Sequence, residues 1–210
     1  MTTPPTKGQQ TRARLLAAAE DVFGRRGFHE ASIAEITRGA GVAQGSFYLY
    51  FPSKLEAFEE LIRTRGEQFR TLLKDSAYTG GTHVARERAG FVAFFEWIAQ
   101  HRWLYRVVRQ AEFVNPELRE QWYRGFAAGY AESLRRAMER GELPHADAEV
   151  LAWVVMGAAD FTAMRWIVWP GDDAVMPDEV FEEFVRLALR TIGAAAGDVE
   201  LVVRKTPALD

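Results

Sequence analysis

Gln44, Ser46, Tyr48, Tyr50 and Lys54 fall within eleven residues and carry amide, hydroxyl, phenol and ammonium groups. An amide or hydroxyl can pair with a base edge, while phenols and an ammonium group suit phosphate oxygens, so the cluster has the chemistry of a DNA contact. The surrounding segment, SIAEITRGAGVAQGSFYLYFPSK from Ser32 to Lys54, predicts how these groups are positioned. Ser32 and Glu35 form a capping box that starts a helix at Ile33, with Ile33, Ile36 and Ala40 on one face. Gly41 ends that helix, Gly39 and Gly41 permit close approach and a left-handed turn, and Val42 plugs the angle between the helices. A second helix is expected over 43–50, with Phe47 and Phe51 facing a small core. Pro52 stops it, and Ser53 with Glu56 caps a further helix from Lys54.

These residues resemble the tetracycline-repressor (TetR) family of transcriptional regulators. The resemblance runs from about Thr11 to Phe58, through RLLAAAEDVFGRRGF, the GAGV turn and GSFYLYFPSKLEAF. It implies an all-α homodimer whose helix-turn-helix binds a palindromic double-stranded DNA operator and whose larger C-terminal domain binds a small-molecule effector. The candidate DNA contacts are Ser32, Thr37, Ala43, Gln44, Gly45, Ser46, Tyr48, Tyr50 and Lys54. Two positions depart from the family pattern: Ala43 stands where a Ser or Thr cap is usual, and Thr37 where a small apolar residue is common. Loss of a cap costs about 1 kcal/mol, which leaves the second helix dependent on packing.

Composition agrees with a two-domain chain. The 210 residues are 48% hydrophobic and include no cysteine, which excludes disulfides and Cys-type zinc sites and favours a reducing cytoplasm. Net charge is −3, yet residues 1–56 hold seven Lys or Arg against five acids. A mildly basic head on an acidic body fits a DNA-binding domain joined to something that does not touch DNA. The expected division is a disordered tail over 1–8, a helix-turn-helix domain over 9–53, a helical ligand-binding and dimerisation domain over 54–196, and a C-terminal tail over 197–210.

Periodicity predicts helices over 9–26, 54–78, 83–100, 102–114, 116–141, 147–169 and 177–196, and no strands. The stretch 150–169 has the length of a membrane span, but Asp160 and Arg165 interrupt it, so it reads as a buried helix and no membrane partner is expected. All six tryptophans lie between residues 97 and 169. Aromatics at helical spacing are a packing signal first, although bundle interiors also house small molecules. The candidate effector lining is Trp97, His101, Tyr105, Val108, Trp122, Phe126, Trp153, Met156, Asp160 and Met164, and the effector is expected to be largely apolar, acyl-type or aromatic. Asp160 on an apolar helix needs a partner, either Arg165, Arg106 or Arg109, or a cationic or hydrogen-bonding ligand. Arg106 and Arg109 could instead meet an anionic head group.

His83, His101 and His145 lack ligand spacing, so neither a metal nor a cofactor is expected. The chain shows no G-x-S-x-G, H-E-x-x-H, phosphate loop or Cys nucleophile, and is not expected to be an enzyme. The alternative is a helical adaptor that binds protein only. The apolar stripes of the last two helices, including Leu151, Val154 and Ala158 on one and Val185 and Leu189 on the other, read better as a self-dimer seam.

Overall fold

The computed structural model describes residue 4 and residues 6–76, 81–171 and 174–204. Among them there is no strand, and the α-helices run α1 Lys7–Arg26, α2 Ile33–Gly39, α3 Lys54–Ser76, α4 His83–Gln100, α5 Arg102–Val114, α6 Pro116–Glu139, α7 Ala148–Ala163, α8 Asp178–Thr191 and α9 Ala196–Arg204. Two shorter pieces interleave: a 3-10 helix over Gln44–Leu49 and a π-helical turn over Met164–Val168 that continues α7.

The chain divides into two compact units, Met1–Glu67 with His101–Trp122, and Gln68–Gln100 with Tyr123–Asp210. That division differs from a boundary at residue 53, because α5 packs on α1 and the first half of α3 joins the same core. Gln110 of α5 donates through Nε2 to the Phe23 carbonyl at 3.1 Å and accepts from the Phe28 N–H at 2.7 Å. Phe23, Phe28 and Phe58 form the aromatic centre of this unit, with edge contacts of 5.4 and 5.0 Å onto Phe58.

Helix α1 starts two residues before the expected position. Thr6 and Gln9 form a complete capping box, the Thr6 N–H donating to Gln9 Oε1 at 2.7 Å, so residues 7 and 8 are helical and not tail. Residues 1–3, 5, 172–173 and 205–210, and the expected end of the α3 helix with its following loop at 77–80, lie outside the described residues. At the other end, the expected helix over 177–196 is broken. Gly193 takes φ +83°, its N–H and that of Ala194 return to the Arg190 and Leu189 carbonyls, and the chain restarts as α9. That double return closes α8 as a Schellman motif, and the region read as tail is helical to Arg204.

In the second unit, Phe69 stacks on Trp97 with centroids 3.9 Å apart and also meets Phe126 at 5.1 Å. Phe91, Phe95, Phe181 and Phe184 extend this packing through edge contacts between α4 and α8. Helix α7 corrects the buried-helix expectation: Ala148, Ala152, Val155, Ala159 and Ala163 are buried, whereas Val150, Trp153, Val154 and Phe161 are exposed. With its π turn it is long and apolar enough to cross a membrane by length and composition, but only one face is covered by its own chain.

Candidate nucleic-acid interface

The local geometry begins at Ser32. Its hydroxyl accepts from the Glu35 N–H at 3.2 Å and donates to Glu35 Oε2 at 2.9 Å, while the Ser32 N–H also donates to that carboxylate at 3.2 Å. These bonds hold Glu35 below its ordinary pKa and fix the start of α2. Ser32 is therefore engaged as a cap.

Thr37 corrects its place among the DNA contacts. It is 2% exposed, and its hydroxyl donates back to the Ile33 and Ala34 carbonyls, so it belongs to the core face of α2. This bonding also explains how a polar residue occupies an apolar position without an unmet donor. Gly41 then takes φ +63°, with the Gly41 N–H returning to the Arg38 carbonyl and the Val42 N–H to Thr37. A side chain at φ > 0 costs free energy that glycine avoids, which is why the turn closes here. Arg14 of α1 braces it by donating to the Gly41 carbonyl at 3.3 Å.

The segment after the turn is tighter than expected. Gln44–Leu49 is a 3-10 helix, not an α-helix over 43–50, and Ala43 supplies no side-chain cap. Without a capping oxygen, short i→i+3 bonds satisfy the orphan donors, starting with Ser46 N–H to the Ala43 carbonyl at 2.9 Å. Phe47 and Phe51 are buried and 5.5 Å apart, so the turn hangs from two aromatic anchors. Ala43, Gln44, Gly45 and Tyr48 are exposed, Ser46 and Tyr50 half-buried.

Two residues of this surface escaped the sequence reading. Leu49 is 81% exposed, the outermost apolar side chain of the turn, and its position three residues before the Pro52 stop was the available signal. Arg38 is exposed at the end of α2 beside the Gly41 turn. Lys54, by contrast, is occupied: its Nζ donates to the Ala31 carbonyl at 2.8 Å and the His29 carbonyl at 3.0 Å, and lies 4.8 Å over the Phe28 ring. Ser53 accepts from the Glu56 N–H at 3.1 Å and so opens α3 as expected.

The same unit holds a polar cluster around Glu20 of α1. Burial opposes ionisation of Glu20, but His101 and Arg65 outweigh it and hold the carboxyl below its ordinary range. Arg65 Nε donates to it at 2.7 Å, and His101 Nδ1 lies 3.3 Å away. His101 thus belongs to a structural ion cluster.

The expected effector lining draws on residues of both units. His101, Tyr105, Val108 and Trp122 belong to the first unit, and Trp97, Phe126, Trp153, Met156, Asp160 and Met164 to the second. Trp97 and Phe126 do meet, across Phe69. Trp153 is 42% exposed and Asp160 is half-buried. What the second unit does hold is a groove of about 650 Å³ walled by Ala85, Ala89, Val92, Ala93, Leu201 and Val202, with Ser76, Thr82, Arg88 and Glu96 at its border.

The positions expected at a self-dimer seam fall into two groups. Val185 and Leu189, expected at that seam, are fully buried within their own chain. Val154 and Ala158, expected at the same seam, are exposed, and with Trp166, Val180 and Leu187 they line a groove of about 370 Å³ between α7 and α8.

Residues 15–61, which span this helix-turn-helix, match the family described as bacterial regulatory proteins, tetR family. The chain is 34% identical over 119 residues to the HTH-type transcriptional regulator YdgC of Bacillus subtilis, covering 55% of this chain and 60% of that protein. It spans about half to three fifths of the length of the curated relatives it matches in this way. Over the whole fold it is similar to the fatty acid degradation regulator FadR of Bacillus halodurans, at TM-score 0.76 and 18% identity, covering 90% of this chain and 96% of that one. FadR of Bacillus subtilis, solved in complex with stearoyl-CoA, superposes at TM-score 0.70 and 20% identity, covering 93% and 99%.

Proposed function

Starting from the match of residues 15–61 to the tetR family of bacterial regulatory proteins, we propose that this chain is a TetR-family dimeric transcriptional repressor that binds a palindromic DNA operator and is released by an acyl-type effector. The observation that carries the DNA reading is the surface of Gln44–Leu49. Gln44, Gly45, Tyr48 and Leu49 face outward while Phe47 and Phe51 anchor the turn from beneath. Exposed Tyr and Leu are costly on a free surface, yet Leu49 suits the methyl group of thymine and Gln44 the N6 and N7 edge of adenine in a major groove. Tyr50, Ser46, Ala43 and Arg38 border that surface and supply contacts to the sugar-phosphate backbone.

The outward apolar face of α7 and α8 supports the dimer. Val154 and Leu187 are 52% and 55% exposed, and a second copy of the same face covers them. Two copies place two reading turns on two half-sites, which a palindrome requires. The acyl-type effector is supported by the stearoyl-CoA complex of the structurally similar FadR and by the apolar wall of the groove along α4. Its volume lies in the usual range for small-molecule sites. Regulation then takes place in the cytoplasm, where the DNA is.

The test is binding of the purified protein to fragments of its own genomic locus, with and without long-chain acyl-CoA. A shifted fragment released by acyl-CoA supports the whole reading. A shift that acyl-CoA leaves unchanged removes the effector class, and no shift on any fragment supports the adaptor.

A further inference from the structure

Lys54 has the charge and the position of a phosphate contact, yet its ammonium group points back into the protein. Nζ donates to the Ala31 carbonyl at 2.8 Å and to the His29 carbonyl at 3.0 Å, and sits 4.8 Å above the Phe28 ring. All three partners belong to the short link between α1 and α2. The same link is held at its start by Gln110, which accepts from the Phe28 N–H at 2.7 Å. Phe28 in turn packs edge-on against Phe58 of α3, one turn beyond Lys54. A lysine at the first residue of a helix is disfavoured by the helix dipole, so the position requires an offsetting interaction, and the two carbonyls supply it.

We propose that Lys54 is a positioning residue: it clamps the α1–α2 link to the start of α3 and so sets the entry of α2 and the pose of the reading turn, without gripping a phosphate itself. The proposal rests on the DNA-binding reading above and deepens it. Pinning two carbonyls that flank Glu30 leaves α2 one direction in which to start from Ser32. The turn at Gly41 and the 3-10 helix follow from that direction, since Val42 N–H is tied back to Thr37 of α2.

A phosphate contact and a clamp make different predictions for the same variant. The probes are the duplex that the wild-type protein selects from a random pool and a random duplex of equal length, each titrated across a salt series. Lys54→Met keeps the aliphatic stem and removes the donors. Hydrogen bonds to a charged group are strong enough that losing them weakens the selected duplex about ten-fold or more, with the random duplex and both salt slopes unchanged. Amide hydrogen exchange should quicken over residues 28–40 in the same variant. Phe28→Leu, which keeps the Lys54 charge and removes the ring beneath it, should give the same selective loss, and decides the matter where Lys54→Met does not fold.

The clamp is overturned if Lys54→Met weakens both duplexes equally and lowers each salt slope by about 0.9 per subunit, the signature of one lost phosphate contact. It is equally overturned if affinity and exchange over 28–40 both stay at wild-type values. A merely structural role would reduce the active fraction while the folded protein kept its wild-type affinity for both duplexes, which again contradicts the clamp. If the wild type selects no duplex, the DNA reading fails on its own, and the exchange measurement alone decides whether Lys54 holds the link.

Discussion

Replacing Glu87 by Gln isolates the most perturbed acid in the second unit. Glu87 lies buried on α4, accepts from the Tyr130 hydroxyl at 2.8 Å, and faces His83 one turn earlier at 3.4 Å. Burial pushes its pKa from 4.5 up to about 7, against the opposing pull of Tyr130 and Arg86. Burial, aided by Arg86, pushes His83 from 6.5 down to about 4, so the histidine is neutral at pH 7. An acid with a raised folded-state pKa contributes stability that is complete below its unfolded value and is lost as pH rises through its folded value. For Glu87 the window runs from 4.5 to about 7. At roughly 1.4 kcal/mol per decade this amounts to about 3 kcal/mol. His83 works the other way, its stability being lost as pH falls from 6.5 to about 4, which masks the Glu87 effect in the native protein. The difference between Glu87→Gln and wild type cancels the His83 term. That difference should favour the variant progressively from pH 4.5 to pH 8, by about 3 kcal/mol in total, measured by urea unfolding at several pH values. A difference independent of pH would refute the claim that folding holds Glu87 protonated.

Glu20→Gln should flatten the acid limb of the stability curve. The Glu20 pKa is lowered in the folded state, so its contribution is present above 4.5 and disappears as pH falls through the lower folded value. Glu20→Ala should cost about 3 kcal/mol by leaving Arg65 without its buried carboxylate, read from urea midpoints. Leu187→Glu and Val154→Glu should give helical monomers in sedimentation, whereas Leu189→Glu should unfold the chain; an unchanged dimer for both exposed-site variants would place the seam elsewhere. Gln44→Ala should cost about 1 to 3 kcal/mol on the selected duplex and less on random DNA, and equal losses would deny it a base-reading role.

The helix-turn-helix was legible because each of its boundaries is written in local chemistry. Ser32 with Glu35, Gly41, Pro52 and Ser53 each act within four residues of themselves, and the structure uses Ser32, Gly41 and Ser53 as caps or turns. The Thr6 and Gln9 capping box that starts α1 is a signal of the same local kind. Gly193 was harder, since a glycine inside an apolar periodic run looks like a tolerated helix residue until its φ is known. The 3-10 form of Gln44–Leu49 follows from the missing cap at Ala43, whose consequence for helix type a sequence does not state. Lys54 shows the limit for the site: its spacing gives its place on a helix, while the direction of its ammonium depends on a link more than twenty residues earlier. The effector lining meets the same limit at larger scale, because aromatic periodicity assigns a face to each helix but not the unit to which that face belongs. Val185 and Leu189 illustrate it within one helix, since their stripe is apolar whether it meets its own chain or a second copy.

In the proposed complex, two copies of the Gln44–Leu49 turn read two half-sites of one duplex. The most direct measurement is selection of bound DNA from a random pool, followed by the mass of the complex formed with the selected duplex. The expected result is an inverted repeat bound by an even number of chains, with affinity falling steeply as salt rises. An unselective pool, or a selected duplex without inverted symmetry bound by a single chain, would contradict it.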